Sequence, residues 1–305
     1  MSVRVTCLGG AVIDMIYVIN ALPGQDGKYP VTSFVESGGG MAANAAVAVS
    51  RLGGQGVWCG VVGDDDKGRR ILDGLREERV DVRLARSIPG ISSSHSIVMK
   101  DTSGNRAILL YRSDETPTNA DWLPLDRLLT SDVVLADNRW IEGAERLLDA
   151  ARDRGLPRVV DIDSAGDRRA LGLAERASHA IYSAPGLDAL FDGATAEDRL
   201  RAAARLTPFA AFTAGGEGVF WISRDSTFLH LPAFAIDAVE TVGAGDVFHG
   251  AFALAIGENQ EESQALRFAA ACSALKCAGH GGRMSFPTRS AVNALLAKTD
   301  TETPS

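Results

Sequence analysis

The sequence predicts an α/β protein in three layers, with a mainly parallel central sheet between two layers of helices and a small β-sheet lid beside it. Three observations carry this. Apolar runs of strand length alternate with segments of helical periodicity, the pattern that gives right-handed crossovers between parallel strands. Two segments break the alternation and read as extended hairpin material. The chain has 305 residues, 46% of them apolar, which is enough to bury a large core.

Residues 3–8, "VRVTCL", read as the first buried strand. "MAANAAVAVSRLG" (41–53) follows as a small-residue helix and "GVWCGVVG" (56–63) as the next strand. The order recurs: "KGRRILDGLREERV" is helical, "DVVLADN" (132–138) a strand, "EGAERLLDAARDRG" a helix and "PRVVDID" (157–163) a strand. "FAAFTAGGEGVFWI" (209–222) returns to strand, and helices are expected near 245–257, 261–278 and 288–297. The lid is expected from residues 14–36, with "SSHSIVMK" and "NRAILLYR" joined by a "DTSG" turn at 101–104. The expected division is a main domain of 1–13, 37–90 and 116–298, a lid of 14–36 and 91–115, and a frayed polar tail at 299–305.

The formal charge of −8 argues against a nucleic-acid protein, because phosphate backbones are bound by clustered Lys and Arg. Cys7, Cys59, Cys272 and Cys277 form neither a CxxC pair nor a zinc spacing and read as reduced core residues. The first residues, "MSVRVTCLGGAVIDMIYVI", are broken by Gly9, Gly10 and Asp14 and have the architecture of neither a signal peptide nor a spanning helix. A soluble cytoplasmic protein with no membrane partner is expected.

The stretch "ETVGAGDVFHGAF" (240–252) places Gly243, Ala244 and Gly245 directly before Asp246 at a helix start. The first N–H groups of a helix lack internal partners, and the helix dipole adds positive charge there. Glycines let that backbone approach a ligand, making an anion site. An acid in the same turn would repel a resting phosphate, but it can take the proton of a hydroxyl that attacks phosphorus. Asp246 then acts as base while the Gly243–Gly245 amides stabilise the transferring group; the alternative is an acid that merely caps the helix. A second glycine run, "SGGGMAANAA" (37–46), enters a helix that carries Asn44, which faces either a sugar hydroxyl or local backbone. A third, "FTAGGEGVF" (212–220), holds Thr213, Gly215 and Gly218, which make either a nucleotide contact or only a tight hairpin.

Together these stretches resemble the ribokinase-like (PfkB) carbohydrate kinase family over nearly the whole chain. Gly39, Gly40, Asn44 and "SRLGG" match its N-terminal signature, and Glu240 through Asp246 match its usual Asp-Thr-Thr-Gly-Ala-Gly-Asp. The resemblance implies a ribokinase-like fold with ATP and Mg²⁺ as cofactors and Asp246 as base. Gly243, Ala244 and Gly245 then form the anion hole, and Thr213, Gly215 and Gly218 meet ATP. Asp14, Gly39, Gly40 and Asn44 would hold the sugar. Glu240 and Val242 depart from the signature and bear on a monovalent-cation site that some members have. The family's Asn-x-x-Glu falls on "SAPG" (183–186), so the metal ligands stay unassigned.

Within the family the likeness is to bacterial 6-deoxy-6-sulfofructose kinase, through "LPGQDGKYP", "VVGDDDKG", "VVLADNRW", "GAGDVFHGA" and "ALKC"; ketohexokinase is a more distant likeness. That resemblance implies a sulfonate grip by Lys28 and Arg139, which are otherwise ordinary surface charges, with Leu110 where an Asn is expected; either Arg112, two residues along on the same strand face, compensates or the pocket prefers a different substituent. The expected reaction is phosphorylation of a primary hydroxyl of a ketose-type sugar, anionic at its other end. The alternatives are a kinase of fructose, ribose or 2-keto-3-deoxygluconate, and a catalytically silent sugar sensor. A dinucleotide oxidoreductase is disfavoured because "CLGGAVID" lacks G-x-G-x-x-G, and no Walker A sequence occurs. The exposed edges and apolar face of a lid suit a homodimer formed by two lids.

Overall fold

The computed structural model describes residues 2–103, 105–163 and 167–302. Its main sheet has eight strands in the order Phe228–Leu231, Val219–Ile222, Phe209–Thr213, His179–Ser183, Arg158–Ile162, Val133–Asp137, Arg4–Leu8 and Gln55–Cys59. The six strands from Phe209–Thr213 to Gln55–Cys59 are parallel, and the other two add an antiparallel edge. All five residues of Val133–Asp137 are buried, as a parallel strand covered on both faces requires.

Alternate residues feed two cores. Cys7, Val133 and Leu135 pack with the helices Met41–Arg51, Ala244–Gly257 and Glu262–Cys277 on one face. Leu8, Val134 and Ala136 pack with Ile141–Asp153, Ala170–Arg176, Ala184–Leu190 and Ala196–Ala203 on the other. The alanine-rich Met41–Arg51 lies so close to Ala244–Gly257 that a Cβ on Gly250 would meet the Ala45 carbonyl oxygen at 2.4 Å. That contact sets the spacing of the two helices that carry Asn44 and Asp246.

A separate four-stranded sheet has the order Val31–Gly39, Val12–Ile19, His95–Asp101 and Arg106–Tyr111. Its register sets Asp14 opposite Ser96 and Ser96 opposite Leu110, so the three share one face. Gly104 of the "DTSG" turn lies outside the described residues.

The structure departs from the sequence reading in three places. "GVWCGVVG" is two strands, with Val61–Gly63 pairing to Arg86–Ile88. The break falls at Gly60, where a Cβ would meet the Gly9 carbonyl oxygen at 2.5 Å, so the backbone has to turn past the first loop. The strand His179–Ser183 and the short helices around it went unread, although Thr195 and Asp198 form a capping box before Ala196–Ala203. The last helix, Arg289–Glu302, runs through the first part of the expected frayed tail. Arg267 donates to Thr299 Oγ1 at 3.0 Å and ties that end down, and residues 303–305 lie outside the described part. No helix among the described residues is long and apolar enough to cross a membrane.

Candidate active site

Gly243 has φ 79° and caps Ala244–Gly257, accepting the Val247 N–H at 3.0 Å. A left-handed cap at that position favours glycine. Among the described residues no acceptor faces the N–H groups of Gly245 or Asp246. Ala244 is buried, whereas Gly245 is exposed, with nothing within 4 Å of where its Cβ would stand. The helix therefore presents free amides to an open approach, as an anion site requires.

Asp246 is partly buried beside these amides. Burial, followed by the like charge of Asp161, pushes its carboxyl up to about 7, against the hydrogen bond from Asn44 and the charge of His249. A carboxyl poised near neutrality is suited to proton transfer at physiological pH. Asn44 Nδ2 donates to Asp246 Oδ2 at 2.7 Å, and Asn44 Oδ1 accepts from Arg283 Nε at 2.8 Å. Both ends of the amide that was expected to face a sugar are thus engaged by protein. Arg283 also donates to the Gly39 carbonyl at 3.2 Å, and burial lowers its guanidinium only to about 10, so it keeps its charge at neutral pH. His249 Nδ1 lies 2.7 Å from the Gly245 carbonyl and 3.2 Å from Asp161, fixing the first turn from below.

Asp14 accepts from Ser96 Oγ at 2.5 Å, and burial raises its carboxyl. A Cβ on Gly39 would fall 2.1 Å from Asp14 Oδ2, and one on Gly40, which has φ 95°, would fall 2.5 Å from the Gly10 carbonyl oxygen. Both glycines are therefore required for this approach of lid to main sheet. Asp137, which the sequence reading passed over, is completely buried and accepts the N–H groups of Gly10, Ala42 and Arg139 at 2.8, 3.1 and 2.9 Å. Its position at the C-terminal end of a central strand was the available signal.

Gly9–Val12 and Asn138–Ile141 line a cavity of about 360 Å³ with Arg112 and Thr116–Thr118. Gly10 joins this cavity to the Gly39–Gly40 turn. Burial and the nearby charge of Arg139 hold Arg112 below the usual guanidinium range. Arg139 Nη2 is paired with Asp163 at 2.8 Å. Lys28, expected beside Arg139, sits on an exposed loop of the lid and does not line the cavity. A shallow depression of about 390 Å³ near Asp121, Arg146 and Arg176 is crossed by salt bridges and holds none of the expected site residues.

Thr213 ends its strand, and Gly215 and Gly218 have φ 54° and 103° in the following turn. A Cβ on Gly218 would fall 2.1 Å from the Leu231 carbonyl oxygen, so hairpin packing alone demands that glycine. Gly215 meets nothing within 4 Å. Ser183 caps Ala184–Leu190 through the Gly186 N–H and donates to Asp163 at 3.0 Å. Among the described residues no group of three or more His, Cys, Asp and Glu is placed to hold a metal ion.

The chain is 28% identical over 300 residues to the ribokinase of Bacillus subtilis (strain 168), covering 96% of this chain and 99% of the relative. It is also 28% identical to an ATP-dependent ribose-1-phosphate kinase of Halopiger xanaduensis, covering 97% and 99%. A solved structure from Agrobacterium tumefaciens, of a protein provisionally called a ribokinase, superposes with a TM-score of 0.93 at 34% identity, covering 98% of this chain and 99% of that one. None of these three is named for 6-deoxy-6-sulfofructose. Residues 3–289 match the pfkB family carbohydrate kinases, and the chain belongs to that family.

Proposed function

We propose that this protein transfers the γ-phosphoryl group of ATP to a primary hydroxyl of a ketose-type sugar whose other end is anionic, with 6-deoxy-6-sulfofructose the first substrate to test. The observation that carries the reading is the presence of Arg112 and Arg139 in one cavity next to the Gly39–Gly40 turn. Two neighbouring guanidiniums disfavour each other, and a sulfonate or phosphate offsets that through charge-assisted, bidentate hydrogen bonds. Leu110 cannot donate such a bond, and Arg112 supplies one from the same strand end.

Asp246 takes the hydroxyl proton as the oxygen attacks phosphorus, and the free Gly245 and Asp246 amides stabilise charge on the group in transit. Asn44 and Arg283 hold the base in position. Asp14 and the Gly39–Gly40 turn orient the sugar, and Thr213 and Gly215 face the nucleotide. Mg²⁺ bound with ATP would neutralise charge on the phosphate oxygens.

ADP release measured over 6-deoxy-6-sulfofructose, fructose 6-phosphate, fructose, ribose and 2-keto-3-deoxygluconate tests this. Arg139→Gln and Arg112→Gln should each raise KM for an anionic sugar by about 10- to 100-fold, as loss of a charged hydrogen bond predicts, and leave a neutral sugar unaffected. A second reading, a neutral sugar such as ribose, is favoured by the Arg139–Asp163 pair, which already neutralises one guanidinium. Turnover of neutral sugars alone would establish it, and binding without turnover would make the protein a sensor.

Among the described residues, eight of the ten exposed large hydrophobics, Phe34 and Leu109 among them, belong to the lid. A second copy of this chain suits that surface, and a monomer at micromolar concentration in sedimentation would rule it out. The four unpaired cysteines suit a reducing cytoplasmic compartment.

A further inference from the structure

Lys276, near the end of Glu262–Cys277, is completely buried. Lysine is almost never fully buried unless its charge is paired. Its Nζ donates to the Glu240 carbonyl oxygen at 3.1 Å and to Glu240 Oε1 at 3.2 Å. The same Oε1 accepts the Gly282 N–H at 2.9 Å, and Oε2 accepts from Lys100 of the lid at 3.1 Å. Burial works to raise the Glu240 carboxyl, but the Lys100 hydrogen bond and the Lys276 charge overcome it and hold it at about 2.

Glu240 opens the segment that ends in the free amides. The helix carrying Lys276 grips that segment at both ends. The Cys277 carbonyl accepts the Val239 and Glu240 N–H groups at 2.8 and 3.1 Å, and Ser273 Oγ donates to the Ala244 carbonyl at 3.0 Å. Gly282, bound to the same carboxylate, precedes Arg283, which supports Asn44 and through it Asp246. One ammonium therefore joins the turn that carries the anion site to the turn that braces the base.

Some members of the family have a monovalent-cation site near the positions of Glu240 and Val242. The residues here do not fit one. The position between the Glu240 carbonyl and carboxylate is taken by an ammonium on the chain's own tether, and Val242 has no side-chain oxygen. We infer that Lys276 is a built-in monovalent cation, a positioning residue that fixes the 240–245 segment, and that turnover needs no K⁺ or NH₄⁺. The inference rests on the kinase reading, with the Gly243–Gly245 backbone as the phosphoryl site.

The test compares KCl, NH₄Cl and choline chloride at equal ionic strength, reading both ADP release and thermal unfolding of the full chain. In the wild type, kcat and Tm should be the same in all three salts. Lys276→Ala should lower kcat by about 10- to 100-fold with sugar KM little changed, since it disorders donors that act in the transition state. KCl or NH₄Cl, unlike choline chloride, should restore part of that loss and raise the variant's Tm, which a purely structural lysine would not allow. A saturable K⁺-specific gain in wild-type turnover or Tm overturns the inference, as does a Lys276→Ala enzyme of full activity. If the variant does not fold, the wild-type salt series decides. If no sugar is turned over, the substrate reading fails while the unfolding series still reports on the cation.

Discussion

Replacing Asn44 by Leu keeps the branched shape of the side chain and removes its hydrogen bonds to Asp246 and from Arg283, the first of which has a calculable effect on the base. The Asp246 carboxyl is raised by burial and by Asp161 to about 7, and the 2.7 Å hydrogen bond from Asn44 works against that rise. A hydrogen bond to a charged group is worth about 1.5–3 kcal/mol, and about 1.4 kcal/mol moves a pKa by one, so its loss should lift Asp246 by about one to two further. The base must be ionised to accept a proton, so activity is lost as pH falls through its pKa. Measured as kcat/KM for the sugar, which reports the free enzyme, the wild-type acid limb should lie at about 7. In Asn44→Leu the limb should move to about 8–9, with the plateau reached only in alkaline solution. A limb that stays in place, or moves down, would refute the claim that this carboxylate is the base and that Asn44 tunes it.

Asp246→Asn should lower kcat by about two to four orders of magnitude with an unchanged circular-dichroism melt, because it removes the proton acceptor and keeps the shape. Two glycines should behave oppositely: Gly40→Ala, which meets backbone at 2.5 Å with φ 95°, should lower the urea midpoint severely. Gly245→Ala, with nothing within 4 Å, should leave stability intact and slow turnover by placing a methyl in the phosphoryl approach. The Glu240 carboxyl is lowered in the folded state from 4.5 to about 2, so its stabilisation is complete above pH 4.5 and disappears as pH falls through about 2. Urea midpoints taken across that acid range should show the loss, and Glu240→Gln should flatten it.

The alternation of strands and helices was legible where a central strand is an apolar run bounded by a period-3.6 segment, and His179–Ser183, polar at both ends, escaped it. The lid was legible because its strands interrupt that alternation. Asp246 and its glycines were legible because a helix start with an acid after open backbone is a local pattern. Arg283 and Lys276 were not, because each acts through partners at least 36 positions away, in a stretch with no pattern of its own. Lys28 was legible only as a matched position, because a position along a loop carries no information about where the loop travels, and it lies exposed outside the Arg139 cavity. Asn44 was found but its task was not, since the residue it serves lies 202 positions further on.

That separation bears on how the protein comes into being. Arg283 meets Asn44 across 239 positions and Gly39 across 244, so the braced base joins the first and last quarters of the polypeptide. During synthesis the helix bearing Asn44 leaves the ribosome early, and nearly the whole chain must follow before its partners exist. A nascent chain, or one cut short before residue 283, carries the acid without its brace. Catalytic competence is thus acquired late, and only by a molecule that has closed one of its longest loops.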